Sequence, residues 1–106
     1  SLISIEKCLP FEVKRTYFIY NIVGDERGGH RHKICKQALV AINGSCIVHC
    51  NNGLSKKKFI MDSPHKILII EPKDWHKMYK FDKNTILLVL ASHYYDINDY
   101  IYEDYI

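Results

Sequence analysis

The apolar and polar positions of this chain recur in short runs with a period near two, broken by turn residues, and no helical period separates the runs. Residues 14–22 alternate, which places Tyr17, Ile19 and Asn21 on one face of a strand and Phe18, Tyr20 and Ile22 on the other. A glycine-containing loop follows at 24–29. Further strands are predicted over 36–42, 45–50, 57–61, 66–71, 75–81 and 85–92, each rich in β-branched or aromatic residues. Asn43-Gly44 reads as a hairpin turn because both residues tolerate positive φ. Asn51-Asn52-Gly53, Asp62-Ser63-Pro64 and Asp82-Lys83-Asn84 mark further turns, the last pairing 75–81 with 85–92. The chain opens on Leu2-Ile3-Ser4-Ile5, already a strand pattern. Only the tail departs from it, where Asp96 can cap a short helical turn running to residue 102. Strands at this spacing predict an all-β antiparallel sandwich or barrel in one domain, 1–106, with a short C-terminal helical tail.

Composition narrows the function classes. A chain of 106 residues buries roughly 60–65% of the surface its unfolded form exposes, so the core is modest and a partner subunit would add to it. A net charge of +3 leaves no electrostatic footprint for nucleic acid, and Lys56-Lys57-Lys58 reads as a solvated strand end. The longest apolar stretch, 85–91, is far below the length that crosses a bilayer, so no membrane span is expected. None of the four cysteines forms a Cys-x-x-Cys pair, and Cys46 and Cys50 lie too far apart along one strand to bridge. Reduced thiols in a cytoplasmic protein are expected.

The chemistry concentrates in Gly24-Asp25-Glu26-Arg27-Gly28-Gly29-His30-Arg31-His32, followed by Gln37 and Gly44. Two histidines two apart on a strand project from the same face. The spacing resembles the first motif of the cupin family: a glycine, five residues, His-x-His, a spacer, then a glutamate, six residues and a glycine. Gln37 stands where that glutamate would be. Pro72-Lys73-Asp74-Trp75-His76 resembles a shortened second motif and would put His76 across the same cavity. Three facing histidines suit a divalent metal, whereas a neutral Gln37 removes the anionic ligand, so the motif alone leaves metal binding open.

A closer resemblance covers nearly the whole chain. The segments Arg27-Gly28-Gly29-His30-Arg31-His32-Lys33, Trp75-His76-Lys77-Met78-Tyr79 and Leu90-Ala91-Ser92 with Tyr94-Tyr95-Asp96 look like those of the sugar-nucleotide 3,4-ketoisomerases. The resemblance implies a cupin jelly roll, here lacking the additional N-terminal strand that members carry. It implies an isomerase that needs no metal or cofactor and acts on dTDP-4-keto-6-deoxyglucose, moving the carbonyl from C4 to C3 through an enediol. Its products serve the synthesis of dTDP-linked 3-amino deoxysugars for lipopolysaccharide or other surface glycans, and the working unit is a homodimer. The family's catalytic histidines fall on His30 and His32. His32 is expected to take the C3 proton and His30 to help deliver one to C4, since imidazole titrates near working pH. A donor for the enolate oxygen is expected from Tyr20, Arg27 or Gln37, and His76 is expected to contact substrate. Arg27 fits a substrate phosphate and a loop ion pair with Asp25 or Glu26 equally, and Tyr20 fits core and cavity equally. His49, His65 and His93 read as surface or loop residues, and Tyr94, Tyr95, Tyr100, Tyr102 and Tyr105 as cover for the barrel or a dimer interface. Two other classes compete: a metal-dependent cupin enzyme and a non-catalytic carbohydrate-binding cupin.

Overall fold

A computed structural model describes residues 1–22 and 24–106. Among the described residues, nine strands form two antiparallel sheets. They are β1 (Arg15–Tyr20), β2 (Arg27–His32), β3 (Gln37–Asn43), β4 (Cys46–Asn51), β5 (Lys56–Met61), β6 (Leu68–Ile70), β7 (Trp75–Tyr79), β8 (Ile86–Ala91) and β9 (Tyr100–Ile101). One sheet runs β1-β8-β3-β6 and the other β5-β4-β7-β2-β9. The all-β reading therefore holds, and the strands predicted from residue 14 onward are present, several trimmed at their ends.

How the strands pair differs from the local reading. Asn43-Gly44 is not a hairpin: β3 bonds to β8 and β6, whereas β4 bonds to β5 and β7. Gly44, at φ 72°, carries the chain from one sheet to the other, so close to Thr85 that a Cβ there would lie 2.7 Å from the Thr85 Cα. Likewise β7 and β8 do not pair across Asp82-Lys83-Asn84, because that turn also crosses between sheets. The hairpin that does form locally joins β4 to β5, where the Asn52 carboxamide accepts from the Leu54 and Ser55 N–H groups. Burying both inner faces against each other forces these crossings, since a two-stranded ribbon alone has nothing to pack on.

Two end expectations are corrected. Residues 2–5 form no strand; Ile5–Cys8 is a 3-10 turn, and Ile5, Leu9, Phe11 and Val13 lie on the outer face of the β1-β8-β3-β6 sheet over Ala38, Val40, Leu88 and Leu90. The helical tail is a 3-10 turn, Ile97–Asp99. Asp96 caps it as expected, accepting from the Asn98 N–H, but Tyr100 and Ile101 leave the turn to pair with His32 and Arg31. Strand pairing along β2 satisfies backbone groups that one more turn of helix would not.

Between the sheets, Leu39, Ala41, Cys46, Val48, Ile70, Met78, Leu87 and Val89 form the core. Cys35, Cys46 and Cys50 are buried free thiols, and burial raises the Cys46 and Cys50 pKa values to about 11 and 12. No helix among the described residues is long and apolar enough to cross a membrane.

Candidate active site

Beyond the apolar core, the space between the sheets turns polar. Antiparallel register sets Cys50 opposite His76 and His76 opposite His30, so all three share the inner face. The β2–β7 ladder shifts between Gly28 and His30, and Gly28 and Gly29 take φ of 85° and 79° to allow it. His32, on the last residue of β2, projects beside His30. The ring centroids of His30 lie 5.0 Å from those of both His32 and His76, and His32 and His76 lie 6.2 Å apart, nearly parallel. His32 and His76 are almost wholly buried and His30 is half-buried.

Burial sets their charge. His76 is pushed down to about 4, first by loss of water and then by His32, against the pull of its bond to the Asp74 backbone. His30 falls to about 3 through burial and its two histidine neighbours. His32 is also lowered, chiefly by burial, with Asp99 opposing. All three are therefore neutral at neutral pH and can accept a proton. The His76 Nδ1–H donates to the Asp74 carbonyl at 3.0 Å, and the His32 Nδ1–H to the Asp99 carboxylate at 2.9 Å.

Gln37 bonds to Tyr17. Its Nε2 donates to the Tyr17 hydroxyl at 3.2 Å, which leaves the phenol proton free to donate elsewhere. Burial raises the Tyr17 pKa, with nearby Tyr100 adding to it, so the phenol stays protonated. Arg15 stacks over the Tyr17 ring at 4.2 Å, and its charge helps to lower His32. The Tyr100 ring centroid is 4.6 Å from His30 and 4.7 Å from His32.

Of the expected residues, His30, His32 and His76 come together, Gln37 is buried and bonded to Tyr17, and Tyr20 and Arg27 do not join the histidines. Tyr20 is 60% exposed on the outer face of β1, at the end farthest from Arg15, because the inner face belongs to Tyr17 and Ile19. Arg27 is exposed three residues before His30, and its guanidinium donates to the Glu26 carbonyl at 3.4 Å. Its expected partner Glu26 pairs instead with Lys77 at 3.6 Å. Sequence reasoning missed Asp99, Tyr17, Arg15 and Tyr100. Tyr17 and Arg15 could have been found from the other phase of the β1 alternation. Nothing local marks Asp99, which meets His32 across 67 residues of sequence.

Nitrogens of His30, His32 and His76 lie within 4.8 Å of one another, a spacing a divalent cation can bridge, and His32, Cys35 and Asp99 form a second such group. In the first group the donors are all neutral imidazoles, with no anion among them.

The family model described as "FdtA: WxcM-like, C-terminal" matches residues 1–106. A TDP-4-oxo-6-deoxy-alpha-D-glucose-3,4-oxoisomerase of Aneurinibacillus thermoaerophilus is 44% identical over 104 residues, covering 95% of this chain and 75% of that protein. The structure is similar to that of WlaRA, a TDP-fucose-3,4-ketoisomerase of Campylobacter jejuni, with a TM-score of 0.87 and 40% identity over 89% of this chain and 70% of that one. It is also similar to a histidine-to-asparagine variant of the 3,4-ketoisomerase QdtA of Thermoanaerobacterium thermosaccharolyticum in complex with TDP-4-keto-6-deoxyglucose. There the TM-score is 0.86 and the identity 38%, over 90% of this chain and 70% of that one.

Proposed function

The chain belongs to the FdtA, WxcM-like C-terminal family, and from that premise we propose that it is a TDP-sugar 3,4-ketoisomerase acting on dTDP-4-keto-6-deoxyglucose. The observation that carries the reading is a cluster of three neutral histidines between the sheets, with the protonated phenol of Tyr17 on the facing sheet. Moving a carbonyl from C4 to C3 needs a base for the C3 proton, a donor for the C4 oxygen and a proton returned to C4, with no net change in atoms. His32 Nε2 is buried and has no hydrogen-bond partner among the described residues, which supports His32 as the base for the C3 proton. Negative charge then develops on the C4 oxygen, where the Tyr17 hydroxyl, held by Gln37, is the donor in place of Tyr20. His30 helps pass protons between the two oxygens and to C4, and His76 packs the sugar side of the pocket. Arg27, exposed at the start of the same strand, is available to a substrate phosphate.

The fold in this reading is a cupin jelly roll, the working unit a homodimer and the compartment the cytoplasm, in keeping with free buried thiols. Incorporation of deuterium into dTDP-4-keto-6-deoxyglucose in heavy water tests the reaction. The wild-type chain should exchange at C3, and His32→Asn should lose exchange by at least ~10²-fold while still binding TDP. Near wild-type exchange in that variant would remove His32 from the mechanism.

The histidine trio favours one second reading, a metal-dependent cupin enzyme. Chelation followed by elemental analysis separates the two. Exchange should survive chelation; loss of exchange that one added metal restores would establish the second reading instead.

A further inference from the structure

Asp99 lies on the C-terminal 3-10 turn and is almost wholly buried. Its two carboxylate oxygens divide their bonds. Oδ1 accepts from the backbone N–H groups of Lys33 at 3.1 Å and Ile34 at 2.8 Å, which pins the turn to the chain leaving β2. Oδ2 faces His32 Nδ1 at 2.9 Å. Burial alone would raise the Asp99 carboxyl, yet the Ile34 N–H and His32 together hold it below the ordinary range, so it is ionised. A carboxylate can only accept, and the contact therefore requires the proton of neutral His32 to sit on Nδ1. The lone pair is left on Nε2, the buried ring atom that has no hydrogen-bond partner.

We infer that Asp99 is a positioning residue for the reaction: it locks His32 in the Nδ1–H tautomer with Nε2 presented to the sugar, and its charge stabilises the imidazolium formed when Nε2 takes a proton. The inference rests on the ketoisomerase reading for its catalytic consequence. The tautomer itself does not depend on that reading. A purely structural Asp99 would fasten the turn and leave the tautomer free.

Asp99→Asn separates these roles, because the carboxamide oxygen still accepts from Lys33 and Ile34 while its NH₂ now faces Nδ1. A donor there forces the His32 proton onto Nε2 and removes the base. Nitrogen NMR of the imidazoles, assigned by comparison with His32→Asn, reads the tautomer without any substrate. The wild-type protein should show a protonated Nδ1 and an unprotonated Nε2 at His32, and Asp99→Asn the reverse. In heavy water the variant should lose C3 exchange by about 10²–10⁴-fold in kcat, with KM and TDP affinity nearly unchanged. A wild-type His32 protonated on Nε2, or an Asp99→Asn protein with inverted tautomer and undiminished exchange, would overturn the inference. Should that variant not fold, the wild-type spectrum decides alone. A chain with the Nδ1–H tautomer that exchanges no deuterium would sink the ketoisomerase reading and leave the locked tautomer standing.

Discussion

A base that must be neutral to work is kept neutral here by burial, and pH exposes what that burial costs. His76 titrates normally near 6.5 and is lowered to about 4 in the folded chain. Between those values the unfolded chain binds a proton that the folded chain refuses, so stability rises with pH across the window. The contribution is fully present above about pH 6.5 and is lost as pH falls towards about 4. From His76 alone, unfolding free energy should drop by about 2 kcal/mol between pH 7 and pH 5, and His30 acts in the same direction. Urea unfolding at the two pH values checks this. His76→Asn, whose NH₂ can still reach the Asp74 carbonyl, should flatten the dependence by that amount, and parallel pH profiles for the two proteins would count against it. The tyrosines supply a second test: Tyr17→Phe should slow C3 exchange by about 10²-fold, and Tyr20→Phe should leave it unchanged. The contrast also shows how far residues can be read from sequence. Period-two alternation sorted Tyr17 from Tyr20 correctly, yet alternation says which residues share a face and not which face points inward. His30, His32, Gln37 and His76 were legible because motif spacing is local. Asp99 was not, since its meaning comes from the pairing of β9 with β2.

At the scale of elements, the irregularity in β2 is what assembles the histidines. Arg27 and His30 are three apart, and plain alternation would put them on opposite faces. The shift between Gly28 and His30 instead sets them opposite Met78 and His76, two apart on one face of β7. Gly28 is held at φ 85°, and a Cβ there would fall 2.9 Å from the His76 carbonyl oxygen and 3.2 Å from the Lys77 Cα, both main-chain atoms with little freedom to move. Gly28→Ala should therefore cost about 1–3 kcal/mol in urea unfolding and displace His30 from His76, lowering exchange by at least ~10-fold in protein that remains folded. A folded, fully active Gly28→Ala protein would show that the shifted ladder is dispensable. Strand positions were legible because β1, β4 and β7 alternate and β3 and β8 are short continuous apolar runs between turn residues. Pairing was not, because Gly44 and Asn84 obey the chemistry of tight turns wherever the chain goes next. Which sheet receives the following strand is decided by the core. Leu39 and Val89 on one sheet can bury fully only against Val48 and Met78 on the other.

For the whole molecule, the unanswered surface is the outer face of the β1-β8-β3-β6 sheet. The continuous apolar runs in β3 and β8 predict cover on both sides. Half of that cover comes from the chain itself, as Ile5, Leu9, Phe11 and Val13 close over Ala38, Val40, Leu88 and Leu90. The covering segment stops short of β1. Phe18, which lies opposite Leu88, is 54% exposed, and Tyr20 and Ile42 are also open. Among the described residues β1 has β8 on one side and no strand on the other, so its backbone edge is open beside the same apolar patch. An unprotected edge next to exposed aromatics is a surface that proteins ordinarily cover. A stable dimer of the usual obligate kind takes about 1,000 Å² from each subunit, about a seventh of this chain's 6634 Å². The chain should then sediment as a dimer at micromolar concentration and persist towards nanomolar. Phe18→Glu places a charge where the partner would bury an aromatic ring, and it should shift the protein to monomer by at least ~10²-fold in dissociation constant without changing the urea midpoint of the monomer. A wild-type chain that stays monomeric at micromolar concentration, or a Phe18→Glu chain that dimerises as before, would mean that this face is not where two copies meet.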